Sequence, residues 1–510
     1  MKASNELFLL IKSLSKTEKS YFKKKSSNFI KNKENYYVKI FNLIDKQTGD
    51  LKEYDEEKIK KQLKDKKLVN SLPVFKNYLY NEILKTLAMY HTGTNKNLEL
   101  KDYLKMTEVL FQKGMTSQCK KLLKKAKEFA YKNDKLLAVL EILNWEIKIN
   151  LNLLNYGVSQ SEIENLNEEA KQITLKILNL QEYQDLQLKF TLLNQKTKFL
   201  IPDEELKNEY KKLLKDKLLK DVNNAQSFAA KNIFYQIHLL YLNSTSDYRI
   251  GYEICKDYVE LIEKDNKIED NKKSYLSALN NYLIRCLYLR KFDEFLTSFV
   301  KYQSKTLTAP DIQAYLLSYN LNLYYYQLTG DFEKAILLFP QIENDFIRYK
   351  GRFHKIIQLY LYYNFAYLLF ITEDYNRCIK YLNLILNDEQ IKAREDLLFF
   401  AKILFLLSHY ELRNYDLLES LIKSLYIYIL KKKRMFNFEN NIIRFFKKLV
   451  NITDEESLKE GFYLLKNELI KQMKNQTEER TLDYFDYVSW LESKITNTPF
   501  KNILHKKSNK

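Results

Sequence analysis

The chain has 510 residues, of which only 8 are glycine and 5 proline, and lysine plus arginine outnumber aspartate plus glutamate by 84 to 65. So few turn-forming residues exclude a fold built on tight β-hairpins and favour long helices joined by polar connections. The formal net charge of +19 indicates an acidic partner or a nucleic acid, although only 11 of the basic residues are arginine, which recognises phosphate more geometrically than lysine does.

The motifs of common catalytic sites do not occur in this sequence. No two glycines have the spacing of a phosphate-binding loop or a nucleophile elbow. The cysteines are at least 31 residues apart and the histidines form no His-Glu-x-x-His, so the spacing of zinc ligands is absent as well. We therefore expect a protein that is not an enzyme and holds no cofactor or metal, with its cysteines buried as structural thiols between helices: Cys119, Cys255, Cys286 and Cys378.

The first 92 residues are predicted to form a small, basic helical module. Its first apolar run, Leu7 to Ile11, is too short for a signal peptide, so a cytoplasmic location is expected. Ser15-x-x-Glu18 is a capping box that predicts the start of the second helix.

Two features of this module allow a nucleic-acid interpretation. Lysines alternate with aromatic residues over residues 12–39, and the candidate contacts are Lys23, Lys24 and Lys25. Helices predicted over residues 55–63 and 72–87 have the order of a helix-turn-helix, with Lys76, Asn77, Tyr80 and Asn81 facing a groove. A solvated lysine face over buried aromatics explains the first pattern equally, and Pro73 fits the start of any helix.

An internal repeat is the most informative feature of the chain. An aromatic anchor follows a short polar turn between two apolar helices, and the five anchors are 44, 40, 43 and 40 residues apart: Tyr248, Phe292, Phe332, Tyr375 and Tyr415. Mostly apolar residues recur three and seven positions after each anchor and six and nine positions before it. These offsets share one helical face, so each unit is predicted to be two antiparallel helices with a common seam.

One unit resembles a tetratricopeptide repeat (TPR). It has Tyr326, the turn Gly330-Asp331-Phe332 and the packing pair Ala335-x-x-x-Phe339, although the repeat of about 40–44 residues is longer than the 34 of TPR. The chain as a whole is similar to a family of long uncharacterised bacterial TPR-like proteins through four stretches: Leu14 to Lys19, Tyr363 to Tyr367, Arg394 to Leu397 and Asp486 to Lys494. The resemblance implies a fold and no activity.

These patterns together predict an all-α protein, an α-solenoid of stacked antiparallel helix pairs. Beyond the N-terminal module, degenerate repeats are expected over residues 98–245 and TPR-like repeats over residues 246–430. Ile356 to Thr372 is the longest strongly apolar run, and its polar residues and tyrosines favour a buried helix over a membrane span. Capping helices are expected over residues 431–496 and a flexible basic tail over residues 497–510.

The candidate partner-binding groove is the inward face of the first helix of each repeat. The positions twelve, eight and five residues before each anchor carry amides and tyrosines, and the candidates are Gln236, Asn280, Asn320, Tyr324, Tyr363, Tyr367 and Tyr410. Amides pair with a peptide backbone in both directions and tyrosines supply flat apolar area, so a peptide or helix of another protein is the expected partner. The same tyrosines would also suit packing within the solenoid.

The sequence therefore favours a non-catalytic scaffold or adaptor that binds another protein. The alternative is an RNA- or DNA-associated protein that binds through the lysines of residues 12–39 and a second basic stretch over residues 431–448, with candidates Lys431, Lys432, Lys433 and Arg434. His409 lies at a seam position, where we expect it to pair with a neighbouring carboxylate rather than to act in catalysis.

Overall fold

The protein is all-α over the part of the chain that the structure describes. The computed structural model describes residues 3–27, 36–50, 54–63, 66–93, 95–152, 159–196, 204–245, 247–264, 268–308, 311–389, 391, 394–431, 437–449, 454–472 and 484–508, and these ranges contain no β-strand. The prediction of an all-α fold of stacked helix pairs is confirmed.

The chain divides into two compact units, Met1–Leu178 and Asn179–Lys510. The helices that begin in the first unit are α1 (Ala3–Ser13), α2 (Lys16–Ser27), α3 (Tyr36–Asp50), α4 (Glu56–Leu63), α5 (Lys66–Asn70), α6 (Leu72–His91), α7 (Lys96–Gln112), α8 (Thr116–Lys132), α9 (Leu136–Asn152) and α10 (Gln160–Lys196). Helices α1 to α6 enclose one apolar core and α7 to α10 a second one. The predicted capping box starts α2, where the amide of Ser15 donates to the Glu18 carboxylate at 2.7 Å and the amide of Glu18 donates to the Ser15 hydroxyl at 3.2 Å.

The second unit is a succession of helix pairs. Its helices are α11 (Glu204–Leu214), α12 (Phe228–Thr245), α13 (Tyr248–Lys264), α14 (Lys272–Tyr288), α15 (Phe292–Thr308), α16 (Ile312–Thr329), α17 (Phe332–Leu337), α18 (Phe339–Arg348), α19 (Lys355–Ile371), α20 (Tyr375–Leu386), α21 (Glu395–Glu411), α22 (Tyr415–Lys431), α23 (Asn437–Leu449), α24 (Glu455–Gln472), α25 (Tyr487–Thr496) and α26 (Phe500–Ser508). Two short 3-10 turns, Lys217–Leu219 and Val222–Asn224, precede α12. All five predicted anchors are the first residue of the second helix of a pair.

Each pair in the second unit packs against the next, and its seam consists of the residues that the repeat predicted. Phe332, Ala335 and Phe339 are at most 1% exposed, and the Phe339 ring stacks on Phe365 of the next pair at 3.8 Å between centroids. Helix α19, which contains most of the long apolar run, is largely buried between its neighbours, as predicted. Within the described ranges, every helix is too short or too polar to span a bilayer.

The two helices of a pair are joined by one recurrent backbone turn. Two residues before the anchor the chain adopts positive φ, at 55° for Arg290, 80° for Gly330, 63° for Glu373 and 56° for Arg413. The next amide then donates to the carbonyl five residues back, as from Asp374 to Leu369 at 2.9 Å, which is the Schellman arrangement. Only one of these four turns uses glycine. The left-handed conformation of the other three could therefore not be predicted from the positions of glycine in the sequence.

Replacing Glu373 with glycine should stabilise the protein. Glu373 is exposed and pays a steric cost at φ 63° that glycine does not, so we expect the free energy of unfolding to rise by about 1 kcal/mol. Urea unfolding of purified protein measures the change. Glu373→Ala should give no gain, and Glu419→Gly, at an exposed site inside α22, should cost about 1 kcal/mol. Equal destabilisation by both glycine variants would contradict the turn assignment.

Candidate functional site

The candidate groove positions lie on the first helices α12, α14, α16, α19 and α21, and their exposure changes along the chain. We call the residues twelve, eight and five positions before each anchor the first-helix face. Its candidates in the first three pairs are all partly exposed: Gln236, Asn280, Asn320 and Tyr324. In the fourth pair Tyr363 and Tyr367 are only 4% and 3% exposed, and in the fifth Tyr410 is partly buried. The named candidates are therefore partly exposed in the first three pairs and buried in the fourth, although Leu287, another member of the face, is 0% exposed. We call the partly exposed candidates of the first three pairs the open part of the face.

The cover is the end of the same chain, residues 484–508, which we call the C-terminal segment. The Tyr363 hydroxyl donates to the backbone carbonyl of Tyr484 at 3.0 Å, and the Tyr367 hydroxyl accepts from the backbone amide of Asp486 at 3.1 Å. Tyr484, Phe485 and Asp486 precede α25 and are not helical. The two tyrosines thus bind the backbone of a short non-helical stretch in both hydrogen-bonding directions. Burial raises the pKa of both phenols, which keeps their protons in place.

A buried charged pair orients the start of this segment. The Tyr484 ring stacks on Phe400 at 4.0 Å between centroids, and its hydroxyl donates to the Asp396 carboxylate at 2.6 Å. Asp396 is 4% exposed, and Arg394 donates to both of its oxygens, at 2.9 and 2.5 Å. The carboxylate is therefore neutralised and hydrogen-bonded, which removes most of the cost of burying it.

Helix α25 is held by a second carboxylate on the first-helix side of the stack. The Trp490 indole donates to Glu411 at 2.7 Å, and Lys494 forms an ion pair with the other oxygen of the same carboxylate. The Tyr410 ring lies edge-on to Trp490 with centroids 6.1 Å apart, so this candidate also contacts the C-terminal segment.

The predicted flexible tail instead contains helix α26. Phe500 and Ile503 are 4% and 7% exposed, and the Phe500 ring packs on Phe485 at 5.5 Å. Lys501 forms an ion pair with Glu333 at the start of α17. The prediction of a flexible tail rested on the basic residues of this stretch and did not take account of Phe500 and Ile503, an apolar pair one helical turn apart.

A row of tyrosines reaches the open part of the first-helix face at Tyr324, beside the amides. Tyr248 stacks on Tyr288 at 4.0 Å, and Tyr288 lies 5.7 Å from Tyr324, so three partly exposed rings run across successive pairs. Asn320 accepts from the Asn364 amide at 2.5 Å, which links the open part to the covered part. These side chains present donors, acceptors and flat apolar area together.

Gln236, like Asn320, already has protein partners. Its side-chain oxygen accepts from the Gln187 amide of α10 at 2.6 Å, and its own amide lies 3.4 Å from the Tyr258 hydroxyl. Asn280, one pair further along, is partly exposed. The amide best placed to meet a partner is therefore that of Asn280 on α14.

His409 does not pair with a carboxylate, so that prediction was wrong. The Asn414 amide donates to its Nδ1 at 3.0 Å, because the turn after α21 brings Asn414 back over the helix end. Burial lowers the pKa of His409, so the imidazole is neutral at physiological pH. Glu411, the nearby carboxylate, is engaged by Trp490 instead.

The basic candidates of the N-terminal module are divided between ion pairs and open surface. Lys23 lies 3.8 Å from Asp45, Lys24 is exposed and Lys25 is partly exposed. Among the aromatics of the patch, Phe22 is 1% exposed and stacks on Phe41, which makes it a core residue and not a base-stacking platform. The side chain of Lys431, and Lys432, Lys433 and Arg434, lie outside the described residues.

The structure contradicts one residue of the helix-turn-helix interpretation of residues 55–87, whereas Asn77 and Asn81 are exposed and Tyr80 is partly exposed, so the interpretation itself stays a hypothesis. Lys76 was expected to face a groove, yet it is 4% exposed and forms an ion pair with Glu56 inside the module. A lysine held in this way cannot reach a base or a phosphate.

The four cysteines are buried, as predicted. Burial raises the pKa of Cys255 to about 11 and those of Cys286 and Cys378 to about 12, and it also raises the pKa of Cys119. Thiols with such pKa values carry almost no thiolate at neutral pH and are poor nucleophiles. In the described part of the chain, no three histidine, cysteine, aspartate or glutamate side chains are grouped so as to hold a metal ion.

No known family model matches the chain, and no curated protein or solved structure is similar to it. The resemblance to long bacterial TPR-like proteins thus stays a prediction. Three of the four stretches that carry it nevertheless meet at one place. Tyr363 to Tyr367 binds the C-terminal segment, Arg394 to Leu397 orients Tyr484, and Asp486 to Lys494 belongs to the segment itself.

Truncating Tyr367 should destabilise the folded protein as a core substitution does. Tyr367→Ala removes a buried ring and should cost about 3–5 kcal/mol, whereas Tyr367→Phe loses only the hydrogen bond from Asp486 and should cost about 1 kcal/mol. Urea unfolding followed by circular dichroism measures both. Tyr463, 56% exposed on α24, is the control, and its alanine variant should change stability little. Equal effects of the Tyr367 and Tyr463 alanine variants would show that the C-terminal segment does not cover the face in solution.

Proposed function

We propose that the protein is a non-catalytic scaffold or adaptor that binds a segment of another protein on the open part of the first-helix face. One observation carries the proposal. Where this face is covered, Tyr363 and Tyr367 hold a non-helical polypeptide by its backbone carbonyl and amide. A face that binds one polypeptide in this way is suited to bind another on the adjoining pairs.

The repeat supports extending this mode of binding to the open part. Equal phase in a stack of similar units gives equal orientation, so Asn280, Asn320 and Tyr324 belong to the same stripe as Tyr363 and Tyr367. Asparagine amides donate and accept, as a strand of partner backbone requires, and the row of rings ending at Tyr324 offers apolar area at low entropic cost. The partner is therefore an extended segment with aromatic or aliphatic side chains.

The four free thiols suit a reducing compartment, which supports our proposal of a cytoplasmic location. The nucleic-acid alternative gains no specific support from the described lysines, since Lys23 lies beside Asp45 and the neighbouring aromatic Phe22 is buried. Binding to a nucleic acid is one possible outcome of the crosslinking experiment described next.

Site-specific photo-crosslinking tests the proposed function. A benzophenone amino acid replaces Tyr324 in the full chain or, as a control, Ile347, which is 75% exposed on the second helix α18. After irradiation in an extract of the native cells, position 324 should give discrete protein adducts that withstand nuclease, and position 347 should not.

The same adducts allow the binding residues to be tested without the label. Tyr324→Ala combined with Asn280→Ala should weaken binding of the crosslinked partner about tenfold and leave the melting temperature nearly unchanged, because both residues are only partly buried. Adducts that disappear with nuclease would favour the nucleic-acid alternative. Identical adducts from both positions would refute a specific surface at Tyr324.

A further inference from the structure

A second candidate interaction surface lies in the first unit, on the helix pair α7–α8. These helices direct one stripe into their core, where Leu100, Cys119 and Leu123 are at most 2% exposed. A different stripe of the same two helices forms an open apolar groove of about 690 Å³, lined by Lys105, Met106, Val109, Leu110, Gln118, Lys121, Leu122 and Lys125. The floor of the groove is exposed, with Met106 at 53% and Val109 at 52%.

The charge on this groove has one sign. Lysines stand on both sides of it, Lys105 on α7 and Lys121 and Lys125 on α8, and no carboxylate lines it. Lys105 lies 3.4 Å from Asp102, whereas among the described residues neither Lys121 nor Lys125 has an ion-pair partner. Two unpaired lysines one helical turn apart repel each other, and an acidic ligand would relieve that repulsion.

The shape of the groove matches one helix. It runs between two antiparallel helices of 17 residues each, and α9, also 17 residues long, already packs on another side of α8 through Leu136, Val139 and Ile142. The lining residues span 105–110 of α7 and 118–125 of α8, which is about 10 Å along the helices, so the groove would hold about two turns of a bound helix. Methionine in the floor adapts to the side chains of different partners.

We propose that the α7–α8 groove binds an amphipathic α-helix of another protein, with an apolar stripe that covers Met106 and Val109 and with aspartate or glutamate along both flanks. The concave floor and the lysines on both walls favour a helix over a flat lipid surface. The net charge of +19 disfavours a second copy of this chain, which would bring like charges together. This site is independent of the first-helix face and of the function proposed for it.

Titration of the full-length protein with designed peptides tests the proposal. The probe is a fluorescent 18-residue peptide with leucines on one helical stripe and glutamates on both flanks. One comparison peptide carries lysines in place of the glutamates, and another has the first composition in scrambled order. The glutamate peptide should bind at least about tenfold more tightly than either, and its affinity should fall as salt rises.

Matched variants locate the binding on the chain. Val109→Glu should weaken binding of the glutamate peptide about tenfold or more, because it places a carboxylate in the apolar floor. Lys121→Glu with Lys125→Glu should do the same and should improve binding of the lysine peptide. Lys120→Glu with Lys124→Glu changes the net charge equally on the outer side of α8 and should leave both affinities within about twofold. Circular dichroism confirms that each variant is folded.

Three results would overturn the proposal. The first is a wild-type chain that does not discriminate the glutamate peptide from the scrambled one, or a Val109→Glu variant that binds it equally well. The second is binding to phosphatidylserine vesicles that Val109→Glu abolishes while peptide binding persists, which would assign the groove to a membrane surface. The third is self-association in sedimentation that Val109→Glu abolishes, which would make the groove an interface between copies.

Discussion

The left-handed turn two residues before four of the five anchors is the constraint on which the stack depends. At Arg290, Gly330, Glu373 and Arg413 the backbone reverses in the same conformation, and the Schellman hydrogen bond closes the end of the first helix each time. Because these four turns share one backbone conformation, each starts its second helix in the same way. Residues at one offset from the anchor therefore point in one direction, and a continuous face can form along several pairs.

The C-terminal segment divides that face into a covered part and an open part. Over α19 and α21 the face is a packing surface, since it buries the rings of Tyr484, Phe485 and Trp490 and satisfies the polar groups that burial would otherwise leave unpaired. An irregular stretch with two short helices covers these two pairs. The pairs before it keep their amides and tyrosines on partly exposed surface.

Two carboxylates of the second unit orient the C-terminal segment. Asp396 is held by Arg394 and by the Tyr484 hydroxyl, and Glu411 by Trp490 and Lys494. Each carboxylate fixes one part of the C-terminal segment against the stack. The lysines of α8, in contrast, line a groove that contains no carboxylate.

The sequence by itself determined the helix pairs, because their signals are local. Anchor spacing, capping residues and apolar offsets of three and four act within one or two turns of helix, and they correctly predicted the first residue of five second helices and the burial of the cysteines. Three of the four left-handed turns escaped notice because arginine and glutamate occupy them in place of glycine. Only the tertiary structure decided which candidates are covered, since Tyr363 and Tyr484 are 121 residues apart. A contact over that separation forms only when the stacked pairs bring residues 484–486 back onto the first-helix face. Tyr324 and Tyr367 have the same position in the repeat, but the C-terminal segment covers Tyr367 and leaves Tyr324 partly exposed.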